Sequence, residues 1–286
     1  PDSFIWAVVF ESLDEENPHW RLVCDALRDP LPTGFAAVSY LDFANRMAEL
    51  GELAQHPFDS PQGAALLQTW MKSEEPDEYS FAQSATTALP YLTCAERDQL
   101  MSLALEHPDE TVQLEAAWAS AKLGSEGGVK LLTRFCLDPA HSSQARAYLE
   151  ELDREEVIPE EALDPDFQAL SELCAWLAHP QEYGEIPDTL ELYDSRRIYW
   201  PPTDDERQVW LFKYTYEPDE EGDDPETGVG MVGSIPFALF GETTPEMPPE
   251  DIYALHCCWE LEMNEDPRAP ESRSVAAGRK LLADCR

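Results

Sequence analysis

Three stretches of this chain hold residue types at spacings that could do chemistry. Gly228-Val229-Gly230-Met231-Val232-Gly233 matches G-x-G-x-x-G, the glycine pattern that lets a pyrophosphate rest on a helix N-terminus in a dinucleotide-binding βα unit. The residues that follow, Ser234 to Phe240, read as strand. The required helix is missing, and glycines that admit a close neighbour within a sheet account better for the motif. His256-Cys257-Cys258 lies in a helical pattern. Adjacent side chains there point about 100° apart and cannot close a tetrahedral metal site without distant ligands. Cys174 and Cys285 offer no C-x-x-C spacing to supply them. The segment Asp219 to Glu226 is rich in carboxylates, but without the EF-hand order of Asp, Gly and terminal Glu it reads as a solvated hairpin loop. G-x-S-x-G is absent, and the linear sequence shows no Ser-His-Asp or Cys-His arrangement. We therefore assign no catalytic, cofactor-binding or metal-ligating residues.

One local group runs against the overall charge. Arg196, Arg197, Arg207 and Lys213 fall on two neighbouring extended segments with Tyr199, Trp200, Trp210 and Tyr214. Arginine and aromatic residues concentrate at interface hot spots. Arg196, Arg197, Arg207, Lys213, Tyr199, Trp200 and Trp210 are thus the candidate interaction patch. The competing reading buries the aromatics and pairs the arginines with Asp194, Asp204, Asp205 and Glu206.

The wider chain constrains the partner. Among 286 residues, 58 are acidic and 19 basic, a formal charge of −39. Residues 1–186 carry 35 acidic and 10 basic side chains, and the remainder 23 and 9, so the acidity belongs to the whole surface, where hydrated carboxylates maintain solubility as in a salt-adapted proteome. Such a field repels phosphate backbones and anionic membranes, which excludes direct nucleic-acid binding. No apolar run is long enough to span a bilayer. Residues 1–10 are too short for a leader, lack a basic flank and read as a packed helix or strand. Seven cysteines, mostly within apolar helical pattern, suit reduced core residues of a cytoplasmic protein.

The elements that must position these residues begin with an echo. Phe81, Ala85, Ala88, Leu92, Leu100 and Pro108 recur 31 residues later as Val112, Ala116, Ala119, Leu123, Leu131 and Pro139. One helical hairpin cannot bury its apolar face alone, so a repeat of this period signals stacked hairpins. Gly63 to Met71 can be laid on Gly128 to Cys136, which extends the array back to about residue 33. His141 opens a degenerate copy, and Pro165 to Ala178 forms the last helix. His56-Pro57, His107-Pro108, Asp138-Pro139 and His179-Pro180 each end a helix, since proline cannot continue the hydrogen-bond ladder.

The segment Asp109 to Gly124, with its second helix to Leu137, resembles a HEAT-like repeat, and the shortness of the unit is most similar to the bilin-lyase branch. The resemblance covers residues 33–180 and implies a curved helical surface for protein partners. HEAT-like di-iron hydroxylases carry His-Glu pairs, and this chain has no His-Glu dipeptide. HEAT-like DNA glycosylases need a basic groove, which the acidic helical half denies.

After residue 186 the pattern changes to three extended runs, at 190–200, 208–216 and 229–240, followed by helices from Pro249 and Val275. The expectation is an α-helical solenoid over 1–186 and a small α+β module over 187–286, with a three-stranded antiparallel meander and two helices. The function expected is that of a non-enzymatic protein-interaction or scaffold protein. Its rivals are an enzyme, of lyase type or with an activity in the C-terminal module, and an acidic decoy of nucleic acid.

Overall fold

The computed structural model describes residues 3–13, 17, 19–73, 75–179, 182–218, 224–241 and 243–284. Two units emerge, residues 1–135 with 145–157, and residues 136–144 with 158–286.

The first unit is helical. Its elements are α1 (Ser3–Glu11), α2 (Trp20–Leu27), α3 (Phe35–Glu49), α4 (Pro61–Met71), α5 (Tyr79–Thr87), α6 (Arg97–Leu105), α7 (Glu110–Lys122), α8 (Glu126–Phe135) and most of α9 (Ser142–Glu151). Starts are marked by side chains that accept the first free N–H groups. Ser60 accepts from Gly63, with Pro61 at the first helical position, and Asp109 accepts from Val112. In sequence order α1 packs on α3, α3 on α5 and α5 on α7, while α4 packs on α6. Ala85, Ala88, Ala116 and Ala119 are all fully buried where these helices approach.

The 31-residue echo holds through these first helices and then slips. Pro90 converts the end of α5 into a 3-10 turn, Leu89–Tyr91, whereas α7 runs on to Lys122 and ends at Gly124, in the left-handed region at φ 87°. Leu92 is consequently buried and its counterpart Leu123 exposed. In α8 the fully buried position passes from Leu131, which is half-buried, to Leu132.

The His-Pro and Asp-Pro pairs do more than stop helices. His56 Nδ1 accepts the N–H of Phe58, His107 Nδ1 that of Asp109, and Asp138 Oδ1 that of Ala140. In each corner the residue before proline satisfies the N–H just beyond it. Pro180 lies outside the described residues.

The second unit comprises α10 (Pro165–Leu177), β1 (Thr189–Trp200), β2 (Asp205–Tyr216), β3 (Glu226–Val232), β4 (Phe237–Phe240), α11 (Pro249–Met263) and α12 (Val275–Asp284). The sheet is a four-stranded antiparallel meander ordered β1-β2-β3-β4. The expected third run is two strands, because Gly233 turns at φ 101° and Pro236 follows it. Side chains alternate between the sheet's faces. Phe212, Tyr214, Tyr216 and Val232 meet Ala169, Leu173 and Leu177 of α10. Val209, Leu211, Val229 and Met231 meet Ile252, Tyr253, Cys257 and Leu261 of α11. The division therefore does not fall at residue 186. Helix α10, expected as the last of the helical array, covers one face of the sheet.

Candidate functional site

Strand β1 is a sheet edge, and its register with β2 decides the fate of the arginine and aromatic group. Arg196 stands opposite Val209, Arg197 opposite Gln208, Ile198 opposite Arg207 and Ser195 opposite Trp210. With a period of two, Arg196, Trp200, Arg207 and Lys213 face α11, while Arg197, Tyr199 and Trp210 share the face of α10. The seven candidates are not one patch. Their closeness in sequence concealed a division between the two sides of a sheet.

Each member is also engaged. Arg196 donates through Nε and Nη2 to Asp194 and through Nη1 to Glu250. The Asp194 carboxylate holds the Arg196 guanidinium pKa above its usual range, and the guanidinium in turn holds the Asp194 carboxyl low. Arg207 grips Asp205 with Nε and Nη2, and its Nη1 donates to Gly233 O and Ser234 Oγ. The Lys213 ammonium lies 3.9 Å from the Tyr193 ring centroid. Trp200 is fully buried and donates to Glu260, Trp210 donates to Asp166, and Tyr199 donates to Asp204. Arg197 alone of the seven stands well out, 70% exposed beside Glu206 at 3.5 Å.

A cleft of about 650 Å³ runs along this edge, lined by Arg196, Arg197, Tyr199, Glu206, Tyr253 and Arg279, among others. It is poor in proton-transfer chemistry. The Tyr253 hydroxyl donates to Asp194, and burial raises its pKa well beyond neutrality. His256 does not line it. That ring is buried in α11 against Trp200, Trp259 and Phe237, 3.4 Å from Glu260, and burial lowers its pKa. Burial would raise the Glu260 carboxyl, but His256, Ser234 and Trp200 together hold it below its usual value.

The remaining motifs resolve structurally. Gly228 leaves room for the Tyr214 ring and Gly230 for Leu173 of α10, and the element next after Gly233 is strand β4 instead of a helix. Cys257 is core against the sheet and Cys258 donates weakly to Ser274 O beside α12. The described Cys24, Cys94, Cys174 and Cys258 are free of disulfides. Cys285 and residues 219–223 of the acidic loop lie outside the described residues.

The first unit contains a charged cluster that linear reading overlooked. Lys122, near the end of α7, donates to both oxygens of Glu49 on α3 at 2.7 Å and to Glu151 on α9 at 3.0 Å. Its ammonium lies 4.7 Å from the Trp118 ring centroid and 5.7 Å from that of Tyr91. Both distances are within cation–π reach. Trp118 Nε1 donates to Glu151 at 3.1 Å, and Tyr148 tilts against Trp118 while donating to Glu115. Glu115 is 5% exposed. Burial raises its carboxyl pKa against the opposing hydrogen bonds of Tyr148 and Gln83, and its Oε2 has no hydrogen-bond partner of regular geometry.

No known protein family, curated protein or solved structure matches the chain.

The cluster therefore has to be read from its own chemistry, which is that of a cation site, two carboxylates and two ring faces converging on an ammonium.

Proposed function

We propose that this chain is a non-enzymatic interaction or scaffold protein, whose helical unit is a short HEAT-like solenoid presenting one face to a protein partner. The observation that carries the reading is the side-by-side packing of α3, α5 and α7, with fully buried alanines at 31-residue spacing. Small residues there let successive hairpins approach closely, while exposed Glu49 on α3 and part-exposed Lys122 on α7 meet over the buried Trp118 ring. The overall charge of −39 selects a basic partner and disfavours nucleic acid. The free thiols of Cys24, Cys94, Cys174 and Cys258 suit the cytoplasm. Among the described residues, no helix is long and apolar enough to cross a membrane.

The test is reconstitution with a partner identified by affinity capture and mass spectrometry. Reversing Glu49 and Glu151 to arginine should abolish complex formation in size-exclusion chromatography, while reversing Lys130, exposed on α8, should not. A partner that binds equally well to both variants would move the function off this face. Turnover of a small molecule in the β1 cleft, abolished by a substitution there, would replace the reading with an enzymatic one.

A further inference from the structure

We propose that Trp118, Tyr91, Glu49 and Glu151 form a recognition cage for a lysine or arginine side chain of a basic partner segment, and that Lys122 occupies this cage as an intramolecular plug. The inference rests on the interaction-protein reading and names the chemistry of its site.

Three observations support the cage. The first is that an ammonium already sits in it, held by two carboxylates and over two ring faces, so its dimensions fit an alkylammonium. The second is that the cage wall is fixed in place: Trp118 Nε1 donates to Glu151, and Tyr148, tied to the buried Glu115, packs on the Trp118 ring. The third is charge: residues 1–186 carry 35 acidic and 10 basic groups, which draw a basic segment in and repel a second copy of this chain.

Lys122 is suited to leaving. It is only 23% exposed, but it stands at the last residue of α7, on a long flexible stem with solvent-exposed Leu123 and Gly124 after it. Its partners Glu49 and Glu151 are themselves 46% and 41% exposed, so the ion pairs are open to competition by an incoming cation. An occupied cage sets a threshold. A single stray cation gains little by exchanging with Lys122, whereas a segment with several basic residues adds contacts along the acidic face.

The experiment measures binding of a short synthetic peptide alternating lysine and glycine, by fluorescence anisotropy, to the full chain and to variants. Lys122→Met keeps the aliphatic packing on Trp118 and removes the plug, and should bind the peptide about 3- to 10-fold more tightly than the parent. Adding Trp118→Ala, or Glu49→Gln with Glu151→Gln, to Lys122→Met should reverse that gain. The glutamine pair is nearly isosteric and guards against a misfolded tryptophan variant. Glu160→Gln with Glu161→Gln removes the same charge from the second unit and should leave binding unchanged. Equal binding by Lys122→Met and its cage variants would show attraction to general acidity, overturning the cage while leaving the interaction reading intact. No binding by Lys122→Met would also overturn it.

Discussion

His56 and Asn45 fix one another's hydrogen-bonding roles. Asn45 Nδ2 donates to Ser84 O and Thr87 Oγ1, so its Oδ1 accepts, at 3.1 Å, the Nε2–H of His56. Nδ1 of the same ring must then carry a lone pair, which takes the Phe58 N–H. The ring is satisfied only when neutral, and it joins α3, α5 and the corner before α4.

This predicts an acid-sensitive helical unit. Burial, partly opposed by Asp59, lowers the His56 pKa from 6.5 to about 4. The unfolded chain therefore binds the extra proton first, and stability falls as pH drops from 6.5 toward 4. His56 alone accounts for about 3 kcal/mol of that loss. Urea unfolding at pH 7 and at pH 4.5 should show a smaller difference for His56→Gln than for the parent. An equal difference would show that His56 is not held neutral.

Adjacent glycines in α8 should respond in opposite directions. A Cβ on Gly128 would collide with Ala117 O and Ala121 N of α7, while one on Gly127 meets only Ser125 Oγ at 3.3 Å. Gly127→Ala should stabilise the protein by about 0.5 to 1 kcal/mol through backbone entropy. Gly128→Ala should destabilise it by roughly 1 to 3 kcal/mol through overpacking. Thermal melts of the two variants decide the matter by sign alone.

The slipped echo makes a second contrast in the same helix. Leu132→Ala empties a fully buried site and should cost roughly 2 to 5 kcal/mol, whereas Leu131→Ala, at a half-buried site, should cost about 1. The reverse order in chemical denaturation would restore the strict 31-residue register.

The arginines of β1 should separate as well. Arg196→Ala removes the guanidinium's hydrogen bonds to Asp194 and Glu250 and should destabilise the second unit by about 1.5 to 3 kcal/mol, as expected for lost charge-assisted hydrogen bonds. Arg197→Ala, with one loose ion pair at 3.5 Å, should change stability by no more than about 0.5 kcal/mol. Near-equal melting temperatures would undo the distinction between a bolted arginine and an exposed one.

These contrasts mark how far the chain can be read in one dimension. Helices were legible because their punctuation is local, as with His56-Pro57, His107-Pro108 and Asp138-Pro139, where proline ends the hydrogen-bond ladder. The echo was legible as far as Ala88 and Ala119, but Pro90 has no counterpart in the next hairpin, and a one-position slip cannot be seen without knowing where α7 stops. The sheet was legible as extended runs, yet which face each residue takes depends on β1–β2 register and on the irregularity between Leu192 and Asp194. That is why an apparent patch became two half-patches. The Lys122 cluster was hidden for the complementary reason: Glu49, Tyr91, Trp118 and Glu151 lie on separate elements and meet only when those elements pack.

The interleaved division of the chain bears on how it is made. Residues 136–144 group with the sheet, yet 145–157 return to the helical unit. During synthesis, the helical unit cannot finish until residue 157 has emerged, and by then the first piece of the sheet unit has already been waiting behind α8. Cutting the gene at residue 135 or at residue 158 therefore yields fragments that each lack part of a unit or carry a piece of the other. Neither half, cut out at a single point, is a module that a fusion or a truncation could borrow intact.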